Sequence, residues 1–214
     1  MIPALAAIAV VFIILLASET LWRNKKLRGL EQSRKLVHIT VGSFIASWAF
    51  FMPLWHIQII AALMLVVVLV SRTLKVFRGI HSVKRKTYGD LLYPISIGLV
   101  AALASSPWIF AAAILHMSVA DGLAAVIGNK FGKGNSYKVF VETKSIIGTA
   151  TCLVVSALII SWIILWSPAG FDVLMWPAIL WVPVLVAAVE NLSPYGTDNL
   201  TVPIIVVLSL SSLL

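Results

Sequence analysis

Several acids, lysines and hydroxyl residues stand at the edges of otherwise apolar stretches, and their types suit phosphate chemistry. Asp121 lies inside one such stretch, where an ionisable group is expensive and faces a partner, a cavity or a pathway. Its carboxylate could serve as a magnesium ligand or as a proton acceptor. The chain then leaves this stretch through GNKFGKG, residues 128–134. Three residues separate Gly128 from Gly132, and Gly134 follows Lys133, so the spacing is not that of a Walker loop. The backbone N–H groups of a glycine-rich turn can still cradle phosphate. Lys144, flanked by Thr143 and Ser145, opens the next apolar stretch, where a lysine and two hydroxyls could meet a phosphate chain. Asp198 and Asn199 offer oxygen ligands for magnesium or a ribose. Glu190 is a further acid at an apolar edge, and Asp90 stands in the cluster KTYGD. Arg34, Lys35 and His38 fall within about one helical turn.

Each group also has a structural use. Asp121 could be half of a buried ion pair. The GNKFGKG lysines could simply mark one membrane face. Ser145 and Asp198 could cap helices. Ser118 and Asp121 match a capping box, but they fall in mid-helix, where no cap is needed. His116 precedes Asp121 by five residues and reads as a core or partner histidine. No His, Cys and Asp set has zinc spacing.

The elements that position these residues are membrane helices. The 214 residues are 61% hydrophobic and only 11% charged, and mean hydropathy is +1.04. That composition excludes an ordinary soluble domain and gives an all-α, polytopic integral membrane helix bundle. At about 20 residues per span, helices are predicted near 2–22, 36–53, 56–72, 90–105, 108–128, 145–166, 173–191 and 200–214. The first is read as a retained transmembrane helix, because no basic segment precedes it. Residues 1–35 form an N-terminal helix with a basic connection, and 36–214 form the main transmembrane domain. Tight turns are expected around Met52–Trp55 and Ser105–Pro107.

All 16 lysines and arginines fall in alternate connections, between helices 1 and 2, 3 and 4, and 5 and 6. The positive-inside rule makes that side cytoplasmic, with both termini outside. This accounts for the net charge of +8 without a nucleic-acid partner. Six tryptophans, Trp48, Trp55, Trp108, Trp162, Trp166 and Trp176, fall near the opposite ends, as an interfacial belt would. Every polar cluster described above sorts to the cytoplasmic side.

The blocks RKLVHITVG, KRKTYGDLLYPI, ADGLAAVIGNKFGK, TKSIIGT and VENLSPYGTDNLTVP, spanning residues 34–205, resemble the CTP-dependent lipid-alcohol kinases in content and order. That family includes dolichol kinase, phytol kinase and a CTP-using diacylglycerol kinase. The resemblance implies transfer of the γ-phosphate of CTP, with Mg2+, to the hydroxyl of a membrane lipid alcohol. It implies a nucleotide and phosphate pocket of Arg34, Lys35, Gly128, Lys130, Gly132, Lys133, Lys144, Ser145 and Gly148. It also implies Asp121, His38 and Asp198 as catalytic residues and Asp121, Asp198 and Asn199 as metal ligands. Asp90, Thr143 and Glu190 complete the candidates. Ala120 departs from the glycine expected before the aspartate. The partners implied are CTP, the lipid alcohol and the bilayer; a homo-oligomer stays open. Two alternatives remain at this point. One is a phosphatidate cytidylyltransferase, whose C-terminal signature is absent from this chain. The other is a transporter, although no internal repeat is visible.

Overall fold

A computed structural model of the chain describes residues 9–11, 13, 16, 31–74, 87–168 and 176–213, with backbone only for 31–34. The predicted first helix, apart from five helical positions between 9 and 16, lies outside the described residues. So do the basic clusters at 23–28 and 75–86. Among the described residues the chain forms α1 (Glu31–Trp48), α2 (Leu54–Leu74), α3 (Gly89–Leu103) and α4 (Pro107–Phe131). A hairpin follows, β1 (Ser136–Val139) and β2 (Glu142–Ser145). Then come α5 (Ile146–Trp166), α6 (Ala178–Leu192) and α7 (Asp198–Ser211).

Three of these helices, α2, α4 and α5, are long and apolar enough to cross a membrane, and α3, α6 and α7 are shorter apolar helices. The helix α4 is the central one. In its most apolar 18-residue window 72% of residues are buried, against 22% for α2 and 33% for α5. The helices α1, α5 and α7 pack around it, α6 packs on α5 and α7, and α2 lies outside on α3. The exposed Leu63, Val66 and Leu69 of α2 form a face suited to lipid. The fold is thus the expected helix bundle.

Local chemistry sets the helix ends. Ser106 caps α4, its Oγ accepting the Ile109 N–H at 3.3 Å, and Pro107 occupies the first turn, where a missing N–H is harmless. Gly132 closes α4 by donating its N–H to the Gly128 carbonyl at 2.8 Å. Ser145 caps α5, accepting the Gly148 N–H at 3.1 Å. At the end of the bundle where α4 begins, Trp108 lies 4.9 Å from Phe50 and 5.3 Å from Trp162, ring centre to ring centre. Trp108 and Trp162 are two of the six tryptophans expected in an interfacial belt; a third, Trp48, is instead buried in the core.

The structure corrects three local expectations. The helix carrying Asp121 runs on to Phe131, so Gly128 and Lys130 are helical and the glycine-rich loop shrinks to residues 132–135. Thr143 and Lys144 do not open a helix: they lie on β2, with Lys144 paired to Tyr137 and Thr143 to Lys138. The third correction is at α1, predicted near 36–53, which begins at Glu31 and ends at Trp48.

Candidate active site

One end of the bundle gathers the start of α1, the second half of α4, the hairpin, the end of α6 and the start of α7. They enclose a cavity of about 500 Å³ lined by Lys35, Asp121, Gly128, Lys133, Lys144, Glu190 and Asp198 among others.

The local irregularity of α4 aims Asp121. From His116 to Ala120 the helix widens to π geometry, and the Asp121 N–H points to the carbonyls of His116 and Ser118. The Met117 carbonyl, which an α-helix would give to Asp121, instead accepts from Nε2 of His38 at 2.9 Å. Such π-turns recur at functional sites. The helix α1 comes close enough to use that carbonyl because glycines remove the obstacle. A Cβ at Gly42 would collide with Ser118, and one at Gly122 with Ile39.

Lys35 Nζ lies 2.5 Å from Asp121 Oδ2, and His38 Nε2 lies 3.8 Å from the same oxygen. The His38 ring packs on Tyr93 at 4.7 Å, and the Tyr93 hydroxyl donates to the His38 carbonyl at 3.5 Å. On the opposite wall Lys144 Nζ lies 2.5 Å from Glu190 Oε1, 3.1 Å from the Glu190 carbonyl and 3.9 Å from Glu142 Oε2. Burial opposes the charge on Lys144. The carboxylates of Glu190, Asp198 and Asp121 outweigh that and hold its ammonium above the usual lysine range.

Three carboxylates meet between the lysines. Oxygen atoms of Asp121, Glu190 and Asp198 all lie within 4.8 Å of one another. Three clustered carboxylates would repel without cations. Two lysines supply part of the balance, and an oxygen-rich set of this kind suits a hard divalent cation that also takes phosphate oxygens.

The glycines of the pocket have a second role. A Cβ on Gly128 would stand 2.8 Å from Ser145 Oγ and 3.1 Å from the Gly148 Cα, so α4 and α5 touch through Gly128 and Gly148. Both also line the cavity, as do Gly132, Thr143 and Ser145.

Other expected residues lie elsewhere. Lys130 is exposed, its Nζ 5.0 Å above the Phe131 ring. Asp90 forms a two-pronged pair with Arg72, 2.8 Å at Nε. Asn199 does not line the cavity; its amide nitrogen donates to the Gly89 carbonyl at 2.9 Å and fastens α7 to α3. Glu190 stands in the carboxylate cluster instead. Arg34 begins α1, but its side chain is outside the described residues.

Sequence reasoning gave no role to Glu142, Ser136 or Thr149, which line the cavity, or to Tyr137 and Asn191, which brace it. Glu142 and Lys144 are two apart on a strand and so share a face. Reading the YKVFV run as a strand would have paired them.

A membrane helix bundle with lysines and carboxylates crowded into a cavity at one end defines a membrane enzyme that handles charged groups beside the bilayer. Over 178 residues the chain is 34% identical to the phytol kinase of Synechocystis sp., a match that covers 81% of this chain and 76% of that one. No family model and no solved structure matches the chain. The chain belongs to the CTP-dependent lipid-alcohol kinase family and is a phosphotransferase with an alcohol acceptor. Its substrates are therefore a nucleotide phosphate donor and a lipid alcohol. This replaces the transporter and cytidylyltransferase alternatives.

Proposed function

We propose that this protein transfers the γ-phosphate of CTP to the hydroxyl of a membrane isoprenoid alcohol, phytol or a close relative, giving the lipid monophosphate and CDP. The observation that carries this reading is the carboxylate cluster Asp121, Glu190 and Asp198, set between Lys35 and Lys144 in one cavity. The phytol assignment comes from the named relative. The cavity opens at the cytoplasmic face in this reading, because the basic connections sort to that side.

Phosphoryl transfer is mainly positioning and charge neutralisation. Asp121, Glu190 and Asp198 would hold Mg2+, whose positive charge would offset that of the phosphates. Lys144, Lys35 and Lys133 hold the remaining phosphate charge. The acceptor hydroxyl arrives from the bilayer at the level of the helix ends. Its oxygen bonds to the γ-phosphorus, the bond to the β,γ-bridging oxygen breaks, and CDP leaves with that oxygen. The hydroxyl proton passes to a carboxylate. His38 is the weaker acceptor, because its Nε2, the ring nitrogen nearest Asp121, faces a carbonyl, which only accepts, and so already carries a hydrogen there. Asp121 and Glu190 each hold a lysine, which leaves Asp198 as the proton acceptor.

The test is transfer from γ-labelled CTP by purified protein in detergent to phytol, geranylgeraniol, long polyprenols and diacylglycerol. Labelled phytyl phosphate, lost on chelation and regained with magnesium, is expected. Failure with every alcohol, or equal use of ATP, would overturn the reading.

A further inference from the structure

The hairpin has a feature that the chemistry does not use. Its register pairs Val139 with Glu142 and leaves a two-residue turn, Phe140 and Val141. Phe140 has φ +52°, a conformation that glycine or asparagine ordinarily supplies in such turns and that strains a bulky side chain. Both residues are turned outward, Phe140 72% exposed and Val141 65%. Folding of the described residues explains neither the strain nor the exposure of two large apolar side chains.

The setting of the hairpin identifies what they meet. Its base joins the ends of α4 and α5. Midway along it, the Tyr137 hydroxyl bonds Thr149 Oγ1 at 2.5 Å, in the first turn of α5. The same hydroxyl bonds Asn191 Oδ1 at 2.7 Å, in the last turn of α6. Near the tip, Glu142 Oε1 accepts the Tyr195 N–H at 3.0 Å, in the turn between α6 and α7. The hairpin therefore lies across the helix ends and does not stand out along their axes. At that level Phe131, Ile146 and Leu192 also expose apolar side chains, as helix ends at a bilayer boundary do. Lys138 is exposed on β1 of the same hairpin and complements anionic headgroups.

We propose that the Phe140–Val141 turn is a membrane anchor: it inserts into the headgroup layer of the protein's own bilayer, with Lys138 on anionic lipid, and so holds down the hairpin that carries Lys144. This goes beyond the kinase reading and does not depend on which nucleotide or alcohol is used. Aromatic and basic side chains are the usual occupants of that layer.

The experiment places a nitroxide at Phe140→Cys, at Val141→Cys as a second site, and at Lys138→Cys, in nanodiscs containing anionic lipid. Cys152 is buried, so wild-type protein reports the background labelling. At 140 and 141, collision with oxygen is expected to exceed collision with a water-soluble nickel chelate several-fold, with the reverse at 138. Chelate accessibility at 140 and 141 equal to that at 138 would show a turn in water and overturn the proposal. Exclusion of both reagents would indicate a protein contact and would also overturn it. Failure of kinase activity would leave these readings unaffected.

Discussion

Lys35 and Lys144 each meet a carboxylate, and this gives the sharpest residue-scale expectations. Lys144→Met leaves Glu190 buried without its cation, a change that typically costs about 3 kcal/mol. Lys144→Met with Glu190→Gln should recover most of that stability in chemical unfolding, yet bind nucleotide no better than the single variant. Recovery of binding as well would take Lys144 out of the phosphate site. The folded value of Lys144 is raised above 10.5, so its stabilising charge is fully present below that pH and fades as pH climbs through the folded value. The stability gap between wild type and Lys144→Met should therefore be constant from pH 6 to about 10 and narrow only above it. For His38→Asn the expectation is a fall in kcat smaller than the roughly 100-fold that loss of a general base produces, with the pH profile keeping its shape. A lost acidic limb would restore His38 as the base.

At the scale of elements, the contact between α4 and α5 and the docking of the hairpin carry the site. Gly128→Ala drives a methyl against Ser145 and Gly148 and should cost about 1–3 kcal/mol by overpacking, with lost activity. Gly134→Ala meets nothing within 4 Å and should be tolerated. Equal effects would show that GNKFGKG acts through its loop and not through helix contact. The same elements show what the sequence reveals and what it hides. Helix positions were legible to within a few residues, because apolar length is the bilayer's own requirement. Asp121 and Lys144 were legible because charge at an apolar edge is costly. The hairpin was hidden because Phe140 occupies a position that a Gly or Asn would have advertised. The π-turn at His116–Ala120 was hidden too, since one extra residue per turn leaves no compositional trace. The tie from the Asn199 amide nitrogen to Gly89 was hidden as well, since the two are far apart in sequence.

At the scale of the whole molecule, the proposed function needs a cavity at the ends of membrane helices, where a water-soluble nucleotide would meet a lipid hydroxyl without either leaving its phase. The helices α1, α4, α6 and α7 send Lys35, Asp121, Glu190 and Asp198 to that end, which is why groups far apart in sequence converge. A cysteine at Lys138 should react with a membrane-impermeant maleimide in inverted vesicles and be protected in right-side-out ones; the opposite pattern would reverse the orientation. The central claim is that the carboxylate cluster performs the transfer. The most direct measurement is phosphate transfer from γ-labelled CTP to phytol by Asp121→Asn, beside wild type of matched folding. A loss of at least about 1,000-fold is expected, the scale of removing a group that stabilises transferring phosphate charge. Activity within a few-fold of wild type would contradict the account at its centre.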